Sequence, residues 1–128
     1  MANTSTTETR IATISRDASG IVIITMKDCG KVDEYDVIDL NLVLRHISND
    51  QPVLKLFDAR AKWSMDKKAK ERAKLENNIN KTKARAVVVS NIVQKGLMAF
   101  INSFSKFNYP QQIFTDKEEA LNWLKQQK

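Results

Sequence analysis

The sequence predicts an α/β fold, with a mixed central sheet that opens on a β-hairpin and carries about four helices. Three observations predict it. Two β-branched stretches, residues 10–16 and 20–27, are separated only by a turn. The run A-R-A-V-V-V-S at residues 84–90 is apolar without alternation, the pattern of a strand covered on both faces. After the hairpin, strand-like and helix-like stretches alternate to the end of the chain, which calls for parallel strands joined by helical crossovers.

Residues 10–16, R-I-A-T-I-S-R, alternate apolar with polar and read as a strand. Asp17-Ala18-Ser19-Gly20 is a turn cluster, and G-I-V-I-I-T-M-K at 20–27 is the returning strand. Asp28-Cys29-Gly30 reads as another turn. Residues 33–48 predict a helix. Asp33, Glu34 and Asp36 suit the positive end of its dipole, and Arg45 and His46 the negative end. Val37, Leu40, Leu44 and Ile47 form its core stripe. Tyr35, Ile38 and Leu42 widen the apolar arc beyond what one sheet face needs, as in a helix buried on two sides.

Asn49-Asp50-Gln51-Pro52 breaks the chain before V-L-K-L-F at 53–57, a strand that runs into Asp58-Ala59-Arg60. Trp63, Ser64 and Met65 read as a loop, after which Ser64 or Asp66 caps a polar helix over 67–77. Following the valine strand, Asn91 with Gln94 opens a helix in which Val93, Leu97, Phe100, Ile101, Phe104 and Phe107 recur at spacings of three and four. Tyr109-Pro110 ends that helix, and 111–114 is a short strand. A capping box at Thr115 to Glu118 starts the last helix, 116–126, which buries Ala120, Leu121, Trp123 and Leu124.

At 128 residues the chain makes one domain, expected over 10–128 behind a flexible polar tail, 1–9. Apolar residues at 42% and charged residues at 28% exclude a mainly disordered chain or a fibrous rod. Cys29 has no second cysteine to pair with, and with His46 as the lone histidine neither a zinc cluster nor a multi-histidine metal centre is expected. No apolar run is long enough to span a membrane and no secretory signal opens the chain, so the cytoplasm is the expected location.

The net charge of +6 is concentrated in one place. Residues 62–85 hold nine basic and three acidic residues, and the rest of the chain is balanced. Lys67, Lys68, Lys70 and Lys74 are the centre of this patch, which reads either as a solvated helix face or as a docking site for a phosphate-bearing or anionic partner. Among these charges only Trp63, at the edge, offers a stacking ring, which argues against nucleic acid. Glycine-rich phosphate loops, nucleophile elbows and metalloprotease motifs are all missing, so no catalytic residues and no cofactor are expected. Parallel sheets place ligands at the carboxyl ends of their strands, which makes Asp58, Arg60, Trp63 and Ser64 the candidate ligand-binding residues. The competing reading of this loop is an Asp58–Arg60 ion pair with Trp63 as a lid on the core. Phe100 and Phe104 read as core first, and otherwise as the wall of an apolar pocket.

Residues 20–27, L-K-L-F-D-A-R at 54–60 and the tail from A-R-A-V-V-V-S through Q-I-F-T-D-K-E-E-A-L-N-W-L resemble the SpoIIAA-like, or STAS/SEC14-type, group of small bacterial proteins. The resemblance runs from about Ile11 to Lys125, and the tail is its most specific part. It implies a four-helix α/β sandwich and a regulatory or ligand-binding role. In the anti-sigma-factor antagonists of that group, an Asp-Ser-Ser-Gly helix start is phosphorylated. Here Met65-Asp66-Lys67-Lys68 stands at that place, with lysines for the serine pair and no glycine after them. The lipid-binding relatives imply instead an apolar cavity under the helices. The expected function is therefore a non-catalytic module that binds a protein partner or itself as a homodimer. A carrier of a small apolar or anionic ligand is the second reading, and a salt-sensitive binder of nucleic acid or membrane surface the third.

Overall fold

In the computed structural model, which describes residues 6–79, 81–91 and 109–127, a six-stranded sheet and a two-stranded ribbon are packed with three helices. The elements are β1 (Thr6–Glu8), β2 (Ala12–Arg16), β3 (Val22–Met26), β4 (Gly30–Val32), α1 (Glu34–Ile47), β5 (Val53–Asp58), β6 (Trp63–Met65), α2 (Lys67–Ile79), β7 (Thr82–Val88), β8 (Gln111–Phe114) and α3 (Lys117–Lys125). The sheet runs β1-β2-β3-β5-β7-β8. Its first three strands are antiparallel, and β3, β5, β7 and β8 are parallel. This is the mixed sheet opened by a hairpin that the sequence predicts. The helix expected from Asn91 to Phe107, with Phe100 and Phe104, falls almost wholly outside the described residues.

The hairpin turn is built by Asp17, whose Oδ1 accepts from the Ser19 and Ile21 amides at 2.9 and 3.0 Å. Gly20 completes the turn at φ +91°, where a side chain would be strained. Past the turn, alternation sorts the strand side chains into two layers. Val22, Ile24, Met26 and Val53 pack beneath α1 and α2 with Val37, Leu44 and Ala69. Ile21, Leu54, Leu56, Ala84, Ala86 and Val88 face α3 through Ala120 and Leu124. The alanines of β7 and α3 leave room for the helix to lie close on the sheet.

Three local readings are corrected, and the choice of cap for α2 is decided. The polar tail gives way at Thr6: Thr6–Glu8 pairs with β2 as an exposed edge strand, which the β-branched threonines favour and their polarity concealed. Gly30 and the stretch Trp63–Met65, expected as turn and loop, form the parallel ribbon, with Gly30 opposite Trp63 and Val32 opposite Met65. Asp66 alone caps α2, accepting from the Ala69 amide at 2.8 Å, while Ser64 is exposed on β6. The last helix is capped one residue later than the Thr115 box predicts, by Asp116, which accepts from the Glu119 amide at 3.1 Å.

Among the described residues no helix is long and apolar enough to cross a membrane.

Leu56 is fully buried in the layer under α3, in one cluster with Ile21, Leu54, Ala84, Ala86, Val88, Ala120 and Leu124. Leu56→Ala is expected to lower the unfolding free energy by about 2–5 kcal/mol, read from the urea midpoint at an unchanged slope.

Candidate functional site

The carboxyl end of β5 gathers Asp58, Arg60 and Trp63, as the sequence suggests. Asp58 is only 4% exposed. Arg60 closes on it as a two-pronged pair, Nε to Oδ1 at 2.8 Å and Nη2 to Oδ2 at 2.7 Å, and its amide donates to the same Oδ1 at 3.3 Å. Burial pushes the Asp58 carboxyl up, but the Arg60 guanidinium and amide outweigh that and hold it below the ordinary aspartate value. Trp63 donates from Nε1 to the Ala59 carbonyl at 3.2 Å and meets Phe57 edge to face, with ring centroids 6.0 Å apart. The fork of Arg60 is therefore turned inward onto Asp58, and Trp63 lies on the core; Ser64 faces solvent one strand away. Phe100 and Phe104 lie outside the described residues.

The helical face carries more that is unaccounted for. On α1, Tyr35 is 71% and Leu42 53% exposed, with half-buried Ile38 between them at helical spacing. On α2, Leu75 is 55% exposed. The sides on which the helices meet are marked by two ion pairs, Arg72–Glu34 at 3.6 Å and Arg45–Glu76 at 3.7 Å. Leu75 follows Arg72 by three residues and precedes Glu76, so it belongs to the outer rim of that junction. The second flank of the wide arc on α1 is thus open to solvent in the single chain. Lys67, Lys68, Lys70 and Lys74 are all exposed on α2. The first turn of α2 has no acidic residue, and its lysines face the positive end of the helix dipole, with the Asp66 cap as the local offset.

Two arrangements were missed in the sequence. Asp36, read as ordinary dressing of a helix start, is buried. It closes a capping box with Asp33, each side chain accepting from the other's amide at 2.9 Å. Arg10 binds both its carboxylate oxygens, one through Nε at 2.8 Å, and reaches the Cys29 and Lys31 carbonyls at 3.2 and 3.0 Å. The Arg10 guanidinium holds the Asp36 carboxyl below its usual range. Burial pushes the neighbouring Cys29 thiol up, away from the reactive thiolate. The second arrangement is Lys55 on β5, buried beside Arg85 on β7. Its signal was a lysine in the middle of V-L-K-L-F.

Residues 14–128 match the model of a domain of unknown function, DUF7793, and the chain belongs to that family. No curated protein matches it. Among solved structures it is similar to an uncharacterized protein from the DUF3478 family with a SpoIIAA-like fold, from Shewanella loihica PV-4. The identity is 17%, with 97% of this chain and 98% of that one covered at a TM-score of 0.62. The likeness shows the fold, which is SpoIIAA-like.

Because Arg60 holds the Asp58 carboxyl low, the stability this pair contributes is present at neutral pH and is lost as pH falls through that lowered value. Arg60→Ala is expected to destabilise by about 1–3 kcal/mol at pH 7 and by clearly less near pH 3, in paired urea unfolding curves of the two proteins.

Proposed function

We propose that this member of the DUF7793 family is a non-catalytic, STAS-like interaction module that docks an acidic protein partner on the outer face of α1 and α2. The observation that carries the reading is the apolar rim of Tyr35, Leu42 and Leu75 together with four exposed lysines on α2. Three large apolar side chains, each more than half exposed around one helix junction, are the pattern of a surface that is covered in use. The charge beside them selects the occupant. An apolar ridge edged with Asp and Glu complements this surface. A second copy of the chain would bring two lysine-rich helices together, which favours a different protein over the homodimer that the wide arc on α1 first suggests. The phosphorylated-serine switch of the anti-sigma-factor antagonists has no counterpart in this reading, since lysines stand in its place.

A photo-crosslinking amino acid placed in the full chain at Leu42 and at Leu75, in the native host, tests this. Asn122, exposed on α3 across the sheet, is the control position. The expected result is one and the same acidic protein adduct from both helix positions and none from position 122. Binding of that purified partner should weaken with salt and fall about ten-fold or more with Leu42→Asp or Leu75→Asp. Adducts only to a second copy, to lipid or to nucleic acid would overturn the reading.

A further inference from the structure

β1 closes one end of the six-stranded sheet, and among the described residues no strand lies beyond it. The direction of its backbone groups follows from two turn hydrogen bonds. The Thr9 amide donates to the Ala12 carbonyl at 2.8 Å, and the register continues unbroken through Glu8–Thr13, Thr7–Ile14 and Thr6–Ser15. Hydrogen-bonded and open pairs alternate along an antiparallel ladder, so Thr7 uses its amide and carbonyl on Ile14. Those of Thr6 and Glu8 point away from the sheet. The far side of β2 agrees: the Ile11 carbonyl accepts from the Lys27 amide at 2.8 Å, so Ile11, Thr13 and Ser15 serve β3 while Ala12 and Ile14 serve β1. All residues of β1 are exposed. Besides its shortness and the charge of Glu8, the strand has none of the usual guards of a sheet edge, a lysine, a proline or a bulge.

We infer that a second copy of this chain pairs on β1, antiparallel and centred on Thr7. That register is self-complementary. Thr6 of each copy stands opposite Glu8 of the other, so every outward amide and carbonyl of the strand finds a partner across the two-fold axis. Thr7 meets Thr7 in the close, open pair of the ladder, a favourable cross-strand combination. Setting Glu8 against Glu8 instead would oppose like charges. In the centred register each Glu8 lies beside a threonine and keeps its own Lys27 at 3.8 Å. The placement of charge in the fold also favours a second copy here. The lysines of α2 lie between β5 and β7 in the chain, the fourth and fifth strands from this edge, so the pairing holds the two basic helices apart. The same lysines disfavour a second copy on the outer face of α1 and α2. The edge is separate from that face, so this pairing and the proposed docking can each fail alone. Three residues from each copy make an interface well below the size of a permanent dimer. The product is a reversible dimer with one sheet running through both copies.

Sedimentation equilibrium of the full chain from about 10 µM to 1 mM is expected to show a monomer–dimer equilibrium. Glu8→Pro removes an outward amide without touching the ladder between β1 and β2, and Thr7→Lys sets two lysines face to face. Both variants should keep the wild-type far-ultraviolet circular dichroism and weaken the dimer about ten-fold or more. Leu42→Asp should leave it unchanged. In a Cys29→Ser background, Thr7→Cys is expected to form an intermolecular disulfide under mild oxidation, since open pairs bring Cα atoms to about 4.5 Å. Thr6→Cys should give little, because the two positions are offset along the strands beyond bridging reach. A monomer throughout the range overturns the inference. So does a dimer that Glu8→Pro and Thr7→Lys leave intact or that Leu42→Asp dissolves. Equal crosslinking at positions 6 and 7 overturns it as well, since that marks random collision.

Discussion

Because β5 lies between two parallel neighbours and under helices on both faces, hardly any of its side chains reaches water, and its sequence has to satisfy three neighbourhoods at once. Leu54 and Leu56 fill the layer beneath α3. Val53 and Phe57 fill the layer beneath α1 and α2. The strand then delivers Asp58 to its carboxyl end, where the carboxylate fixes Arg60, and the chain turns so that Trp63 lies back on Phe57. The ribbon of β4 and β6 and the cap of α2 both follow from where this turn leaves the chain. Lys55 is buried in the middle of the strand, next to Arg85 on β7.

The opening of α1 is fixed in a comparable way by polar contacts. Arg10, just before β2, spans to Asp36 and to two carbonyls around β4, so one side chain joins the sheet, the ribbon and the helix start. Asp36 has its oxygens filled from three directions, since it also accepts from the Asp33 amide. That arrangement sets the rotation of α1. Val37 and Leu44 are thereby turned to the sheet, and Tyr35 and Leu42 away from it. The exposed apolar rim is therefore the consequence of a well-determined helix orientation and not of loose packing.

The parts of this fold that were legible in the sequence are those where periodicity and position agree. The hairpin has β-branched strands around a turn cluster, and the valine run of β7 could only be a strand covered on both faces. The parts that were not legible depend on partners far along the chain. Thr6–Glu8 has no pattern of its own and becomes a strand because β2 offers it an open edge. The three-residue strands Gly30–Val32 and Trp63–Met65 are too short to show alternation and exist because they meet each other. The pairing of Asp58 with Arg60 was readable from a spacing of two, but that of Asp36 with Arg10 spans 26 residues and leaves no local trace. At the candidate site the sequence pointed to the carboxyl end of β5, where Asp58, Arg60 and Trp63 do come together. The buried Lys55 in the strand's apolar middle was visible as a lysine in V-L-K-L-F but not singled out.

Helix α2 carries the argument about function one step further. Among the described residues its apolar core-facing side chains are small, Ala69 and Ala73, and these bury little apolar area against the sheet. Its first turn sets Lys67, Lys68 and Lys70 against the helix dipole, and Lys70 and Lys74 repel at a spacing of four. Its ion pairs to α1 are 3.6 and 3.7 Å, longer than direct hydrogen bonds. Each of these choices costs stability, and acidic or apolar alternatives at the same exposed positions would have relieved it without disturbing the sheet. A helix that breaks several local rules on one face, next to apolar side chains left uncovered, fits a surface shaped by something outside the chain. Among the described residues the Asp66 cap offsets the conflict only at the first turn; an acidic partner laid along α2 would neutralise the lysines and cover Leu75 and Leu42 in the same step.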